Sequence, residues 1–287
     1  MKAISEFANL QRCFTTHPLT CDAPLRAWVR FALWQLRSRL QGEIIFRWIG
    51  GQRLAVRHGM SGATQNIYVG LHEFADMMLA LHFLREGDLF LDIGSNVGTY
   101  TVFASGVCRA KTWAFEPDPG TVQRLRRNIA VNSLDTYVQV HECALGAGQG
   151  EVAFTVGCDS VNKIATADDK NVRIVRLEPL DAIVASSEPI MIKVDVEGAE
   201  EGVLQGAKGL LANPCLKVVE METVTPESTS ILGRNQFDRA YYDPFCRSLH
   251  REPIDLKSSN SLFVRDWSFV ATRLAAAKKV QILGREI

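Results

Sequence analysis

Along most of the chain, apolar residues recur with one of two periods, and the two periods alternate. Short apolar runs at Leu89–Ile93, 112–115, 137–141, 190–194 and 216–220 have strand length and end in charged or turn residues. Between them, 73–85, 97–108 and 199–211 repeat apolar residues every three or four positions, as a helix packed on one side does. A further helix starts at the N-cap Asp118, has Pro119 in its first turn and runs to about Ala130. The segments 151–156 and 172–177 predict more β structure, Ser261–Val264 a late strand and 267–279 a terminal helix. Strands alternating with helices predict βαβ units, and so an α/β fold whose mostly parallel sheet is covered by helices on both faces. Such sheets bind ligands beyond the carboxyl ends of their strands, where the strand order reverses.

Ahead of this pattern, residues 1–65 read as a partly helical N-terminal extension. Pro24–Leu40 predicts a helix. At about 100° per residue, Arg26, Arg30 and Arg37 share one narrow stripe, and Leu25, Trp28, Val29, Phe31, Leu33, Trp34, Leu36 and Leu40 cover most of the remainder. Two readings of that face stand. It packs on the domain core or on a second subunit in a homodimer, or it makes peripheral contact with an anionic membrane, with Arg39 interrupting the apolar arc. The chain then divides into the extension at 1–65, an α/β domain at 66–266 and a C-terminal helix and tail at 267–287.

Composition narrows the classes. A chain of 287 residues with 47% hydrophobic and 22% charged residues can bury a core, which excludes disorder and collagen-like repeats. Basic and acidic residues are equal at 32 each, which argues against a dedicated nucleic-acid binder. The balance hides an asymmetry: residues 1–60 carry net +6, 61–245 net −10 and 246–287 net +4. Seven widely spaced cysteines (Cys13, Cys21, Cys108, Cys143, Cys158, Cys215 and Cys246) include no CxxC pair, as expected of reduced thiols in a cytoplasmic protein. The first residues, MKAISEFANLQRCF, contain no long apolar stretch, so no secretory signal is expected, and no apolar run is long enough to predict a membrane span.

The chemistry concentrates just after the strands. The first apolar strand enters Asp92-Ile-Gly94-Ser95-Asn96-Val-Gly98-Thr-Tyr100-Thr101. Here Gly94 allows close backbone approach to a ligand and Gly98 close helix packing. This is GxxxG spacing, unlike the GxGxxG that cradles a pyrophosphate. A carboxylate at the strand end repels a pyrophosphate and suits a cationic ligand, such as the sulfonium and ammonium groups of S-adenosylmethionine. Glu116, in Trp113-Ala-Phe-Glu116-Pro-Asp118-Pro, ends the second strand, where an acidic residue accepts from both ribose hydroxyls and disfavours NADP. After the third strand, Glu142 is placed to accept from an adenine amine, while His141 reads as a strand residue. The fourth strand ends in Lys193, Asp195 and Glu197 at alternate positions, which share one face while the chain stays extended; Gly198 then turns it into a helix. Two carboxylates and an amine clustered there are either catalytic or a salt-bridge network. Glu220 and Glu222 repeat the acidic edge after the next strand.

Together, FLDIGSNVGTYT, FEPDP and IKVDVEGAE with VLQGA resemble, in that order, the FkbM family of S-adenosylmethionine-dependent methyltransferases. The flanks Tyr68-Val-Gly-Leu-His-Glu73-Phe and Asn260-Ser-Leu-Phe-Val are also similar, so the resemblance covers about residues 66–265. It implies a class I methyltransferase (Rossmann-like) fold, with a seven-stranded sheet containing one antiparallel strand, and O-methylation, often of sugar or polyketide hydroxyls. It implies that Asp92, Gly94, Ser95, Asn96 and Gly98 hold the methionine part of the cofactor and Glu116 its ribose, with Asp195 and Glu197 beside the transferring methyl. Asp195 is then the candidate base, with Glu197 orienting the acceptor or Lys193. A divalent ion on Asp195, Glu197 and Glu222 is the competing use of these carboxylates, opposed by the charge of Lys193; no metal is assigned. An NAD-dependent oxidoreductase is disfavoured by the GxxxG turn, and a silent cofactor-binding scaffold by the intact Asp195 and Glu197. The acceptor is expected to be a small molecule or glycan. Its specificity is expected from the N-terminal extension and residues 223–255, where Phe237, Tyr241, Tyr242 and Phe245 either stack on a sugar ring or pack the core.

Overall fold

The computed structural model describes residues 2–157, 162–166, 168–256 and 258–287; Cys158 lies outside them. Helices α1 (Lys2–Thr16) and α2 (Pro24–Leu40) lead into a hairpin of β1 (Ile44–Arg47) and β2 (Arg53–Val56), followed by α3 (Ser61–Val69) and α4 (Phe74–Phe83). The strand–helix alternation then runs through β3 (Leu89–Ile93), α5 (Thr99–Gly106), β4 (Lys111–Phe115), α6 (Pro119–Val131) and β5 (Val138–His141). A side sheet of β6 (Ala144–Leu145), β7 (Gly150–Thr155) and β8 (Val172–Glu178) intervenes. The alternation resumes with α7 (Leu180–Val184), β9 (Met191–Val194), α8 (Glu200–Gln205), α9 (Lys208–Ala212) and β10 (Val218–Met221). Then come α10 (Pro226–Arg234), β11 (Asp238–Asp243), β12 (Ser248–His250), β13 (Ser261–Val264), α11 (Trp267–Ala275) and a hairpin of β14 (Gln281–Ile282) and β15 (Arg285–Glu286).

The main sheet has the order β5-β4-β3-β9-β10-β13-β11-β12. Its first five strands are parallel, and β13 runs antiparallel to β10. This is the α/β, class I methyltransferase architecture, corrected in two respects: the sheet has eight strands rather than seven, and two of them, β13 and β12, run against the parallel set rather than one. The extra edge strand β12 forms because the chain after β11 folds straight back, pairing Tyr241 with His250. Strand order reverses between β3 and β9, which puts the ligand-binding crevice at their carboxyl ends.

Alternation along the strands builds two cores. Phe90, Met191 and Val218 pack with α4, α5 and α11 on one face, while Leu91, Ile93, Ile192, Val194, Val219 and Met221 pack with α7 to α10 on the other. Parallel strands covered on both faces are apolar throughout for this reason. The helix expected over 199–211 is two short helices. The Gly206 carbonyl accepts from the Asp181 backbone N–H, and the Asp181 carboxylate caps the start of α9 by accepting from Gly209 and Leu210. The terminal helix stops at Ala275, before 279, because the chain turns so that Val280 pairs with Ile287.

The N-terminal extension is joined to the α/β layers. Phe14, Trp34, Leu54 and Ile67 share one apolar cluster with Val97 and Val102, and α3 crosses residue 65. The open edge of β2 is satisfied by side-chain amides of α6. Asn128 accepts from the Ala55 N–H at 2.6 Å and donates to the Val97 carbonyl at 2.8 Å, and Asn132 accepts from the Arg53 N–H and donates to the Arg53 carbonyl. Spacing of four residues puts both amides on one helix face. Asn128 is fully buried, so Asn128→Ala orphans a donor and an acceptor and is expected to cost about 2–4 kcal/mol, read as a lowered urea midpoint by circular dichroism.

Candidate active site

A cavity of about 240 Å³ opens at the carboxyl ends of β3, β4, β9 and β10. Asp92, Gly94, Ser95, Asn96, Glu116, Lys193, Asp195 and Glu197 all line it, as does Glu222. One glycine of the first motif, Gly94, shapes its floor. Gly94 has φ +80°, and a Cβ there would lie 1.7 Å from the Asp195 carbonyl oxygen. Its close approach is thus to the β9 loop, which brings the two motif-bearing loops into contact. Gly98 lies off the cavity wall, has φ +87° and abuts Leu125 of α6, as close helix packing requires.

Two carboxylates lie in this floor. Asp92 is buried and accepts from Thr101 Oγ1 at 2.5 Å. Burial pushes its pKa up to about 6 against the stabilising Thr101 hydroxyl and Lys193 charge. Glu116 accepts from the backbone N–H groups of Asn96 at 3.1 Å and Asp118 at 2.9 Å, one per carboxylate oxygen, and burial raises it to about 7. A carboxylate has about four acceptor sites, so Glu116 keeps capacity toward the cavity.

Beside them a polar row crosses the sheet. Asp92, Lys193 and Glu220 are register partners on β3, β9 and β10, on the face that carries Phe90, Met191 and Val218. Lys193 is only 3% exposed. Its ammonium meets Asp195 at 2.5 Å and sits 4.5 Å from the centroid of the Tyr100 ring. Burial opposes its charge, but Asp195, Glu73 and Glu220 outweigh burial and raise its pKa. Tyr100 donates to Glu73 at 2.7 Å, and Asn260 donates to Glu220 at 2.9 Å. Glu220 is fully buried and raised well above the usual range, by burial first and then by Asp76.

Asp195, Glu197 and Glu222 bring carboxylate oxygens within 4.8 Å of one another. Burial raises Asp195, but the Lys193 charge and hydrogen bond more than compensate and leave its pKa lowered. Glu222 is raised to about 8 by partial burial, by its hydrogen bond to Asp195 and by the charges of Asp195 and Glu197. The expected alternation stops at Asp195. Strand β9 ends at Val194, and Glu197 has φ +52°, so Glu197 reaches the cluster through a left-handed turn. Partial burial and the charge of Asp195 raise its pKa.

One expectation is corrected. Glu142 does not line the cavity. It is exposed after β5, 3.6 Å from Arg126, and the cavity wall there is Cys143, Ala144 and Leu145. Of the aromatic quartet's two readings, packing holds: none of the four lines the cavity, Phe237 and Tyr242 are core residues, Tyr242 meets His82 Nδ1, and Phe245 lies against Phe74. His141 is a strand residue, stacked on Phe115. Sequence reasoning missed the lining that comes from outside the motif loops, Gln65 and Asn66 of α3 with His72, Glu73 and Met77. The signal for it in the sequence was the flank Tyr68-Val-Gly-Leu-His-Glu73-Phe, which carries His72 and Glu73.

Comparison with known proteins follows the same residues. The model of the methyltransferase FkbM domain matches residues 92–244. The hexuronic acid methyltransferase AglP of Haloferax volcanii is 28% identical over 158 residues, covering 54% of this chain and 64% of AglP. Methyltransferase sdnD of Sordaria araneosa is 25% identical over 205 residues, covering 58% of this chain and 79% of sdnD. A crystal structure of methyltransferase FkbM from Methylobacillus flagellatus aligns with TM-score 0.44 and 16% identity, over 82% of this chain and 59% of that one. The chain therefore spans just under two thirds of AglP and less of the solved FkbM protein. With the domain model matching more than half its length, and over the loops that build the cavity, the chain belongs to the FkbM methyltransferase family.

Proposed function

We propose that this protein is an S-adenosylmethionine-dependent O-methyltransferase acting on a hydroxyl of a sugar, glycan or natural-product acceptor. The observation that carries the reading is an aspartate, Asp195, held ionised by a buried lysine beside a cavity floored by Asp92 and Glu116. The floor suits this cofactor. Lys193 is the one Lys or Arg among the described cavity residues, and Asp195 neutralises it, so the wall favours a cation over a pyrophosphate. Asp92, Gly94, Ser95 and Asn96 would hold the methionine part and Glu116 the ribose hydroxyls. Glu142, exposed beside Arg126, is withdrawn from this set. The hexuronic acid specificity of AglP supports a sugar acceptor.

When bound, S-adenosylmethionine supplies an already activated methyl group, so the chain's task is to position the acceptor and take its proton. Asp195 accepts the hydroxyl proton as general base. Lys193 holds that carboxylate ionised in the resting site, and Glu197 orients the acceptor. Glu222 is exposed and bonded to Asp195, which gives the accepted proton a route to solvent. Gln65, His72 and Met77, which line the cavity from outside the motif loops, contact the acceptor and set its class.

Asp195→Asn is expected to lower kcat about 100- to 10,000-fold while S-adenosylhomocysteine binding, measured by calorimetry, changes only a few-fold. An equal loss of binding would make Asp195 a cofactor ligand instead, and full turnover would remove it from the reaction. Loss of activity in EDTA, restored by Mg²⁺, would reassign Asp195, Glu197 and Glu222 to a metal site. A second expectation follows from Glu116. It is protonated below about 7 and ionised above, so affinity for S-adenosylhomocysteine falls as pH drops through that value. Glu116→Gln should bind more weakly overall and keep only the step near 6 that Asp92 contributes.

A further inference from the structure

Helix α2 is 17 residues long and is packed on one side only. Ala27, Trp34 and Ser38 are buried, while Leu25, Val29, Leu33, Leu36 and Leu40 are between 54% and 77% exposed. At about 100° per residue, these five fall within one arc of about 80°, directly opposite the buried three. Arg26 and Arg37 border the arc on one side and Arg39 on the other. Among the described residues, no carboxylate forms an ion pair with any of the three. Trp28, with Phe7 stacked on it at 4.9 Å, lies on the Arg39 side. Ile45 of the adjoining strand adds an apolar side chain that is 46% exposed.

We propose that this face of α2 docks on an anionic lipid bilayer, with the helix lying in the plane of the interface. An apolar arc rimmed by arginines that make no ion pair among the described residues, and by an aromatic pair, matches the layering of that surface: acyl chains below, anionic headgroups and their interface at the rim. The charge decides between occupants. In a symmetric dimer through the same face, each copy meets its own arginines, and like charges oppose each other across the contact. The net +6 of residues 1–60 adds to the attraction toward anionic headgroups. The arrangement also relates the surface to the cavity. On its inner side, Arg30 donates to the Tyr68 carbonyl of α3 at 2.7 Å, and Gly62 and Gln65 of α3 line the cavity. A bilayer under α2 is therefore one helix layer from the acceptor wall.

The test is co-sedimentation of the full chain with phosphatidylcholine vesicles, with and without phosphatidylglycerol. Binding only to the anionic vesicles, weakened by added salt, is the expected result. Arg26→Gln with Arg37→Gln should reduce partitioning about 30-fold. Leu33→Glu with Leu36→Glu should abolish it with an unchanged circular dichroism spectrum and melting curve, because both side chains are exposed. Failure to bind anionic vesicles overturns the proposal. So does a dimer in sedimentation velocity that the double glutamate variant dissociates, which would give the face to a second copy. Binding of S-adenosylhomocysteine should be the same in all these variants, so this proposal and the methyltransferase reading fail independently.

Discussion

A lysine ammonium buried at the carboxyl edge of the sheet must be compensated, because stripping water from a charge costs several kcal/mol per ion after relaxation. Lys193 meets that requirement with groups from separate parts of the chain. Asp195 comes from the loop after its own strand, Glu220 from β10 and Glu73 from the start of α4, and the Tyr100 ring and hydroxyl come from α5. Asn260, just before the reversed strand β13, holds Glu220 in turn. One buried cation thus ties together the central strands, two helices and the late strand. The same electrostatics leave Asp195 ionised in a site where burial alone would protonate it.

The row Asp92–Lys193–Glu220 explains why charge appears in strands that are otherwise apolar. All three face the layer of α4 and α5, where the helices supply Thr101, Tyr100 and Glu73 as partners. On the other face the same strands present only apolar side chains to α7 to α10. Both faces carry an apolar core, and the charged row of these three strands is confined to one of them. The N-terminal segment joins that side: α3 contributes to the cavity wall, and the α6 amides of Asn128 and Asn132 fix the β1–β2 hairpin behind it.

Much of the fold was legible because strand–turn–helix punctuation is local. The strands β3, β4, β9 and β10 are short apolar runs ending at charged residues, and α6 carries its own cap in Asp118, which accepts from the Thr121 N–H. The N-terminal helix α1, the two flanking hairpins and α3 were not legible, because their apolar positions serve contacts with distant segments. Gly206 shows the same limit inside a motif: nothing in 199–211 announces that the Asp181 side chain will begin a second helix there.

By itself the sequence determined the parallel α/β plan, the family and most of the cavity's acidic residues, since each depends on residues a few positions apart on one strand and its turn. Only the tertiary structure decided which of them meet. Register between strands aligned Lys193 with Asp92 and Glu220; a left-handed turn at Glu197 brought it to Asp195 and Glu222; and the exit of the chain from β5 left Glu142 outside. Those outcomes depend on the relative placement of segments tens of residues apart, and such placement is set by packing and by compensation of buried charge rather than by local pattern.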